Sequence, residues 1–322
     1  MSRFLTTWSV FQALILEAMP FLLIGILISS LSRHLLPSGT VLRRLPSHPL
    51  LGPLTGAAMG FALPACECGN VPVARRLLAA GTPLATALGF LFAAPVLNPI
   101  VLAGTWAAFP DRPWLLLARP LGAVLLAVAL AGLLRLMPEV NLLAKPLLIE
   151  RSFHQPIPTE NLLERSAGLI GAATAASPAV PRLEGSGRQS WRQTLGHGID
   201  ELLELGLLLV LGCLIAAAIQ TLLPRAWLLA LGQAPTLSIL ALMLLAVVIS
   251  VCSSVDAFLA LGFAAQVTPG ALLAFLLLGP IVDIKAIGLY GAVFRGPALF
   301  LVCTAAALLV LLVGQWVNLV AL

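Results

Sequence analysis

Apolar residues in this chain fall into long unbroken runs, not into the short alternations of half-buried strands. Segments at about 8 to 31, 83 to 108, 114 to 136, 200 to 223, 270 to 290 and 297 to 320 are each long enough for a helix that crosses a bilayer. Such a helix takes about 20 residues at a rise of about 1.5 Å each. Runs of this length exclude barrel strands and leave helices as the spanning element. Two further apolar stretches are interrupted. Residues 50 to 63 stop at Pro64, and 71 to 80 form a short helical piece carrying Arg75 and Arg76. Neither piece spans alone, so together they make either one broken span or a re-entrant hairpin, and both forms have to be buried in protein or line a cavity. The stretch 235 to 266 has its own break. The pattern predicts an all-α polytopic membrane protein with six to eight spans and interrupted or re-entrant helices.

Composition leads to the same class: the 322 residues are 60% hydrophobic and 10% charged, with a mean hydropathy of +1.05, against about 25% charged for an average soluble domain. Met1-Ser2-Arg3 runs straight into the first apolar segment without a short apolar region and small-residue cleavage site, so the first span is expected to be retained. The net charge of +5 reports loop orientation, not nucleic-acid binding. The loop at 32 to 49, with Arg33, Arg43 and Arg44 and no acidic residue, is expected in the cytoplasm. Residues 138 to 195 hold six Lys or Arg, five Glu and several prolines, and read as a soluble, cytoplasmic linker. The expected organisation is therefore an N-terminal membrane repeat (1–137), a hydrophilic linker (138–195) and a C-terminal membrane repeat (196–322).

The two apolar halves match in order. Glu17 and Gly25 are eight apart, as are Glu204 and Gly212. Cys66, Asn70 and Thr82-Pro83 align with Cys252, Asp256 and Thr268-Pro269 at an offset of 186, and Pro95 and Asn98 align with Pro280 and Asp283 at an offset of 185. An ordered set of this kind points to internal duplication, and broken apolar segments at matching places in two halves point to a binding site between them. Re-entrant segments would give three crossings per half and inverted halves; broken spans would give four and parallel halves. The basic residues gathered at one side favour the inverted form.

Residues 64 to 70, Pro-Ala-Cys-Glu-Cys-Gly-Asn, set two thiols, a carboxylate and an amide at one of these breaks. Polar groups at bilayer depth are costly, and are retained mostly at substrate or ion sites. Cys66 and Cys68 would diverge in a regular helix but could converge in a turned segment, where two thiolates suit a soft metal ion or a trivalent arsenical. Cys252 would supply a third sulfur if the two breaks meet. Glu67, Asn70, Asn98, Asp256, Asp283 and Lys285 are the polar candidates for the solute path, and Glu17 and Glu204 for proton coupling. Plainer readings stand beside these. The cysteines could pack a tight turn, Asp283 could simply pair with Lys285, Asp256 could pair with Arg75 or Arg76, and Glu17 and Glu204 could touch interfacial water. Cys213 and Cys303 sit in apolar contexts that suit small buried hydrophobes. The histidines at 34, 48, 154 and 197 lie in loops or at span ends and form no intramembrane metal cage. No nucleotide-binding motif occurs, so transport would be driven by a gradient. A thiol oxidoreductase is disfavoured, because Cys-x-Cys closes a small strained ring.

The segments Pro-Ala-Cys-Glu-Cys-Gly-Asn-Val-Pro-Val-Ala-Arg-Arg (64–76), Ala-Ala-Pro-Val-Leu-Asn-Pro-Ile-Val-Leu (93–102), Cys-Ser-Ser-Val-Asp-Ala-Phe (252–258) and Gly-Pro-Ile-Val-Asp-Ile-Lys (279–285) together resemble the predicted permease family that includes the methylarsenite-efflux permease ArsP and the YraQ-type permeases. The resemblance spans essentially the whole chain. It implies a multi-pass permease of the bacterial inner membrane, no cofactor and no enzyme activity. For the ArsP branch it implies export of trivalent organoarsenicals, with Cys66, Cys68 and, less directly, Cys252 as ligands. Glu67 and Asn70 depart from the Cys-Ser-Cys-Gly-Val form of other members, a change that would tune the site towards a metal cation. Some relatives work with a second, non-permease subunit, so such a partner is open here, as is a homo-oligomer.

Overall fold

The computed structural model describes residues 2–35, 45–63, 66–154, 187–222 and 235–321. Among these the fold is helical throughout, with a single isolated β-bridge between Leu143 and Phe294. The first half comprises α1 (Ser2–Leu35), α2 (Leu51–Ala62), α3 (Glu67–Ala79), α4 (Leu84–Leu97), α5 (Pro99–Ala108) and α6 (Pro113–Leu134). Two short helices follow, α7 (Glu139–Leu142) and α8 (Lys145–His154). The second half comprises α9 (Gly187–Leu222), α10 (Pro235–Ile249), α11 (Asp256–Leu261), α12 (Pro269–Leu278), α13 (Ile284–Tyr290) and α14 (Gly296–Ala321). Five stretches, in α1, α4–α5, α6, α9 and α14, are long and apolar enough to cross a bilayer. Two shorter apolar helices, α10 and α12, fall below that length.

Contacts between chain segments fix the direction of each helix. Thr7 of α1 meets Thr221 of α9 at 3.0 Å, and Gly198 of α9 faces Ser30 of α1, so these two long helices are antiparallel. Along α2, Gly52, Gly56 and Gly60 press in turn on Ala85, on Thr86 to Phe90, and on Ala94, so α2 runs parallel to α4. The Thr86 hydroxyl donates to the Pro46 carbonyl at 3.0 Å, tying the two entry points together. The chain therefore enters at α2 and returns through α3 to the end it left, which makes α2–α3 a hairpin. In the second half α10 and α12 likewise lie side by side. Ile239 of α10 and Gly270 of α12 both pack on Gly314, while Ala246 reaches Gly279, so α10 is parallel to α12 and antiparallel to α14.

The molecule accordingly has two ends. At the linker end, α6 runs out to α7 and α8, and Arg295 and Ala144 hydrogen-bond across to Leu142 and Val293. At the termini end lie the start of α1 and the end of α14. Trp8, Trp106, Trp114 and Trp316 all lie towards this second end, as an aromatic belt requires. Outward positions such as Leu27, Leu117, Leu125, Phe300 and Leu312 stay exposed, which suits contact with lipid.

Close packing rests on small residues, as expected where lipid removes the hydrophobic drive between helices. A Cβ on Gly25 would strike the backbone of Gly69, so α1 and α3 touch main chain to main chain. The first part of the hydrophilic region, residues 139–154, is folded against the helices. Arg151 of α8 is buried and donates to the Leu78 and Thr82 carbonyls at 2.9 Å, satisfying acceptors at the end of α3, while its other nitrogens bind Glu139. Charge there is neutralised by pairing, which lets a polar helix dock. Residues 155–186, with Pro64 and most of the 32–49 loop, lie outside the described residues.

Candidate functional site

Each hairpin tip is shaped by its own sequence. In the first, Leu63 leaves α2 in extended conformation and Cys66 is the N-cap of α3, with φ −78° and ψ 179°. Only Cys66 is extended; Glu67 and Cys68 already belong to the first turn of α3. In the second, Ser250 takes a left-handed backbone (φ 54°), strain that a non-glycine residue bears only where its surroundings hold it there. Its hydroxyl accepts from the Lys285 amide at 3.3 Å. Residues 251–255 then turn the chain into α11.

The tips meet. Ligand atoms of Cys66, Glu67 and Cys252 all lie within 4.8 Å of one another, and all three residues are buried. Ser253 donates to Glu67 Oε2 at 3.3 Å, Cys252 Sγ lies 4.0 Å from the same oxygen, and Ser254 donates to Cys252 Sγ at 3.4 Å. The Cys66 thiol has the thiols of Cys252 and Cys68 as neighbours. Cys68 nevertheless falls outside the three-residue group. Cys66 thus keeps the Cys68 thiol as a neighbour, while the sulfur that completes the group with Glu67 comes from the other half of the chain.

Lys285 closes the cluster. Its Nζ stands 3.9 Å from Glu67 Oε1 and 3.9 Å from Asp283 Oδ2, too far for a hydrogen bond. Both oxygens are buried and have no hydrogen-bond partner among the described residues. The other oxygen of Asp283 caps α13 through the Ala286 amide, and the matching residue, Asn98, caps α5 through Ile100. This shared role explains why an Asn and an Asp sit at equivalent places. Asn70 is buried within α3, and Glu17 of α1 is half-buried, within electrostatic reach of Lys285.

Two remaining acidic candidates are held by arginines from the opposite half. Asp256 pairs with Arg119 of α6, and neither Arg75 nor Arg76 is its partner; Arg119 also donates to Thr105 at 2.7 Å. Side-chain exposure is 0% for Arg119 and 5% for Asp256, so this is a fully interior pair. Glu204 pairs with Arg75 at 2.7 Å, with Glu204 46% exposed. That pair borders a polar cavity of about 140 Å³ at the linker end, lined also by Arg76, Glu150, Asp200 and Glu201. Arg119, Ser253 and Arg151 were not among the sequence candidates. Arg119 did carry a signal: it is the one charged residue between 113 and 134, in a run long enough to span.

Comparison with known proteins decides the family. Residues 3–319 match the family model described as "Predicted permease" (ArsP_1). The chain belongs to this permease family. The permease is 36% identical over 312 residues to the Bacillus subtilis UPF0718 protein YcgR, covering 96% of each chain. It is 32% identical over 287 residues to a Streptococcus mutans protein named as a subunit of a two-component membrane permease complex, covering 88% of the permease and 85% of that relative. No solved structure matches it. Family and helices together make it a multi-pass protein of the bacterial cell membrane.

Proposed function

We propose that the permease is a secondary-active exporter of a thiophilic solute, a trivalent organoarsenical or a soft metal ion, captured between the tips of two inverted hairpin repeats. The observation that carries this reading is the buried meeting of Cys66, Glu67 and Cys252, contributed by opposite halves. Thiols and a carboxylate brought together from two moving bodies suit a solute that must be gripped and then released, since a change in their separation dismantles the site. Cys68, adjacent to Cys66, serves as a relay thiol. Asn70, Asn98, Asp256, Asp283 and Lys285 shape the polar path, and Glu17 and Glu204 are candidates for proton coupling. The cation-rich linker end faces the cytoplasm, by the preference of Lys and Arg for that side. The polar cavity beside Arg75 and Glu204 is the candidate entrance at the linker end, and the buried Arg119–Asp256 pair the candidate seal towards the termini end.

Expression in a strain stripped of its own arsenic and metal exporters tests the reading, with survival scored against methylarsenite, arsenite, copper, zinc and cadmium. Cys66→Ser and Cys252→Ser are each expected to abolish protection, whereas Cys213→Ser and Cys303→Ser retain it. Full protection by Cys66→Ser and Cys252→Ser would rule out thiol capture. A second reading, a membrane subunit of a larger assembly, is favoured by the name of the Streptococcus mutans relative. It predicts that protection appears only when a partner subunit is co-expressed.

A further inference from the structure

We infer that the Cys66–Glu67–Cys252 site takes a divalent, borderline-soft cation of the zinc and cadmium class in preference to a trivalent arsenical, with Lys285 as the tethered counter-ion that holds Glu67 when the cation is away. The inference rests on the thiol-capture reading above and narrows its substrate.

Three observations carry it. First, the donor set is mixed. Two sulfurs alone satisfy a trivalent organoarsenical, which exchanges two hydroxyls for two thiols with release of two waters and stays neutral; a third, anionic oxygen donor has no part in that product. A dication bound by two thiolates and one carboxylate uses all three. Second, the spacing is near that of a tetrahedral site. Zinc–sulfur bonds of about 2.3 Å imply donor separations of about 3.8 Å, and the three ligand atoms lie within 4.8 Å of each other, so a small inward shift of the hairpin tips completes the geometry. Three protein donors also leave the fourth position open, unlike a structural zinc site, which is closed by four.

Third, the carboxylate is under-satisfied on the side that faces Lys285. Glu67 Oε1 and Asp283 Oδ2 are buried without hydrogen bonds, each 3.9 Å from the same ammonium. A lysine tethered on α13 thus serves as one shared counter-charge to two carboxylates without hydrogen-bonding to either. An incoming dication displaces this loose contact with Glu67 and the protons of the two thiols, which pass to solvent, and Lys285 keeps Asp283. In an interior where an unpaired charge is costly, alternation between a tethered and a mobile cation leaves Glu67 neutralised in both states.

The test uses the full-length permease in detergent micelles, titrated with Cd²⁺ and followed by thiolate-to-cadmium charge-transfer absorption, with phenylarsine oxide capture measured in parallel. The wild type is expected to bind one Cd²⁺ per chain. Loss of an outer-shell partner alone costs about 10- to 100-fold in metal affinity, so Glu67→Gln is expected to weaken Cd²⁺ at least that far while leaving phenylarsine oxide capture unchanged. Retained arsenical capture also shows that the variant is folded. Unchanged Cd²⁺ affinity in Glu67→Gln, or a wild type that captures phenylarsine oxide but not Cd²⁺, would overturn the inference and leave thiol capture standing. A wild type that takes neither probe would overturn both.

Discussion

Asp256→Ala is expected to lower the stability of the permease by about 3 to 5 kcal/mol, because it strands the guanidinium of Arg119 inside the bundle. Arg119 is fully buried and its contacts are few: Asp256, the Thr105 hydroxyl and the distant Ser253 carbonyl at 3.5 Å. Truncating the carboxylate therefore leaves a charge without a counter-charge in a low-dielectric interior. Replacing both partners, in Arg119→Met with Asp256→Ala, is expected to recover most of the loss, since a buried pair is roughly balanced against apolar packing of similar volume. Thermal unfolding in micelles measures both. The two substitutions are also expected to separate stability from function. The pair joins α6 of the first half to α11 of the second, so the stable double variant should leak solute through the termini end. A double variant as unstable as Asp256→Ala would show that Arg119 is held by something other than its charge partner.

The second large effect belongs to Gly25. Any side chain there meets the backbone of Gly69, which cannot rotate away as a side chain can. Gly25→Val is expected to cost about 1 to 3 kcal/mol as overpacking, and to push α3 outward one turn after Cys66. The tip would then carry Cys66 and Glu67 away from Cys252. Transport is expected to fail even where the protein still folds, so transport assays on folded Gly25→Val protein measure the effect. Gly132→Val provides the contrast, because nothing lies within 4 Å of a Cβ at that position. Equal loss in both variants would mean that helix propensity, not the crossing, sets the outcome.

Much of this architecture was legible in the sequence, because lipid imposes long apolar runs and the breaks in them are conspicuous. The span at 83–108 was visible as a run with Asn98 at its break, whereas the run at 270–290 folds as two short helices with Asp283 at the break. The hairpin at 50–80 was legible only as one of two forms. Its resolution needed the contacts of Gly52, Gly56 and Gly60 with α4, which are long-range and leave no local trace. The cysteine motif pointed to the right tip and to one neighbour of Cys66, the thiol of Cys68; the second, Cys252, depended on the two breaks meeting, which only folding decides. The partner of Asp256 was hidden for the same reason, 137 positions away in Arg119. In the hydrophilic region, composition did not reveal that Arg151 is buried and holds carbonyls at the end of α3.

Solute capture as proposed requires the two tips to meet as one site. Membranes containing the Cys68→Ser permease, briefly oxidised with iodine, blocked with an alkylating agent and mapped by peptide mass spectrometry, test this directly. The account predicts a peptide carrying Cys66 joined to one carrying Cys252, with Cys213 and Cys303 alkylated as free thiols. Recovery of Cys252 as a free alkylated thiol while Cys66 is oxidised or joined elsewhere would contradict it.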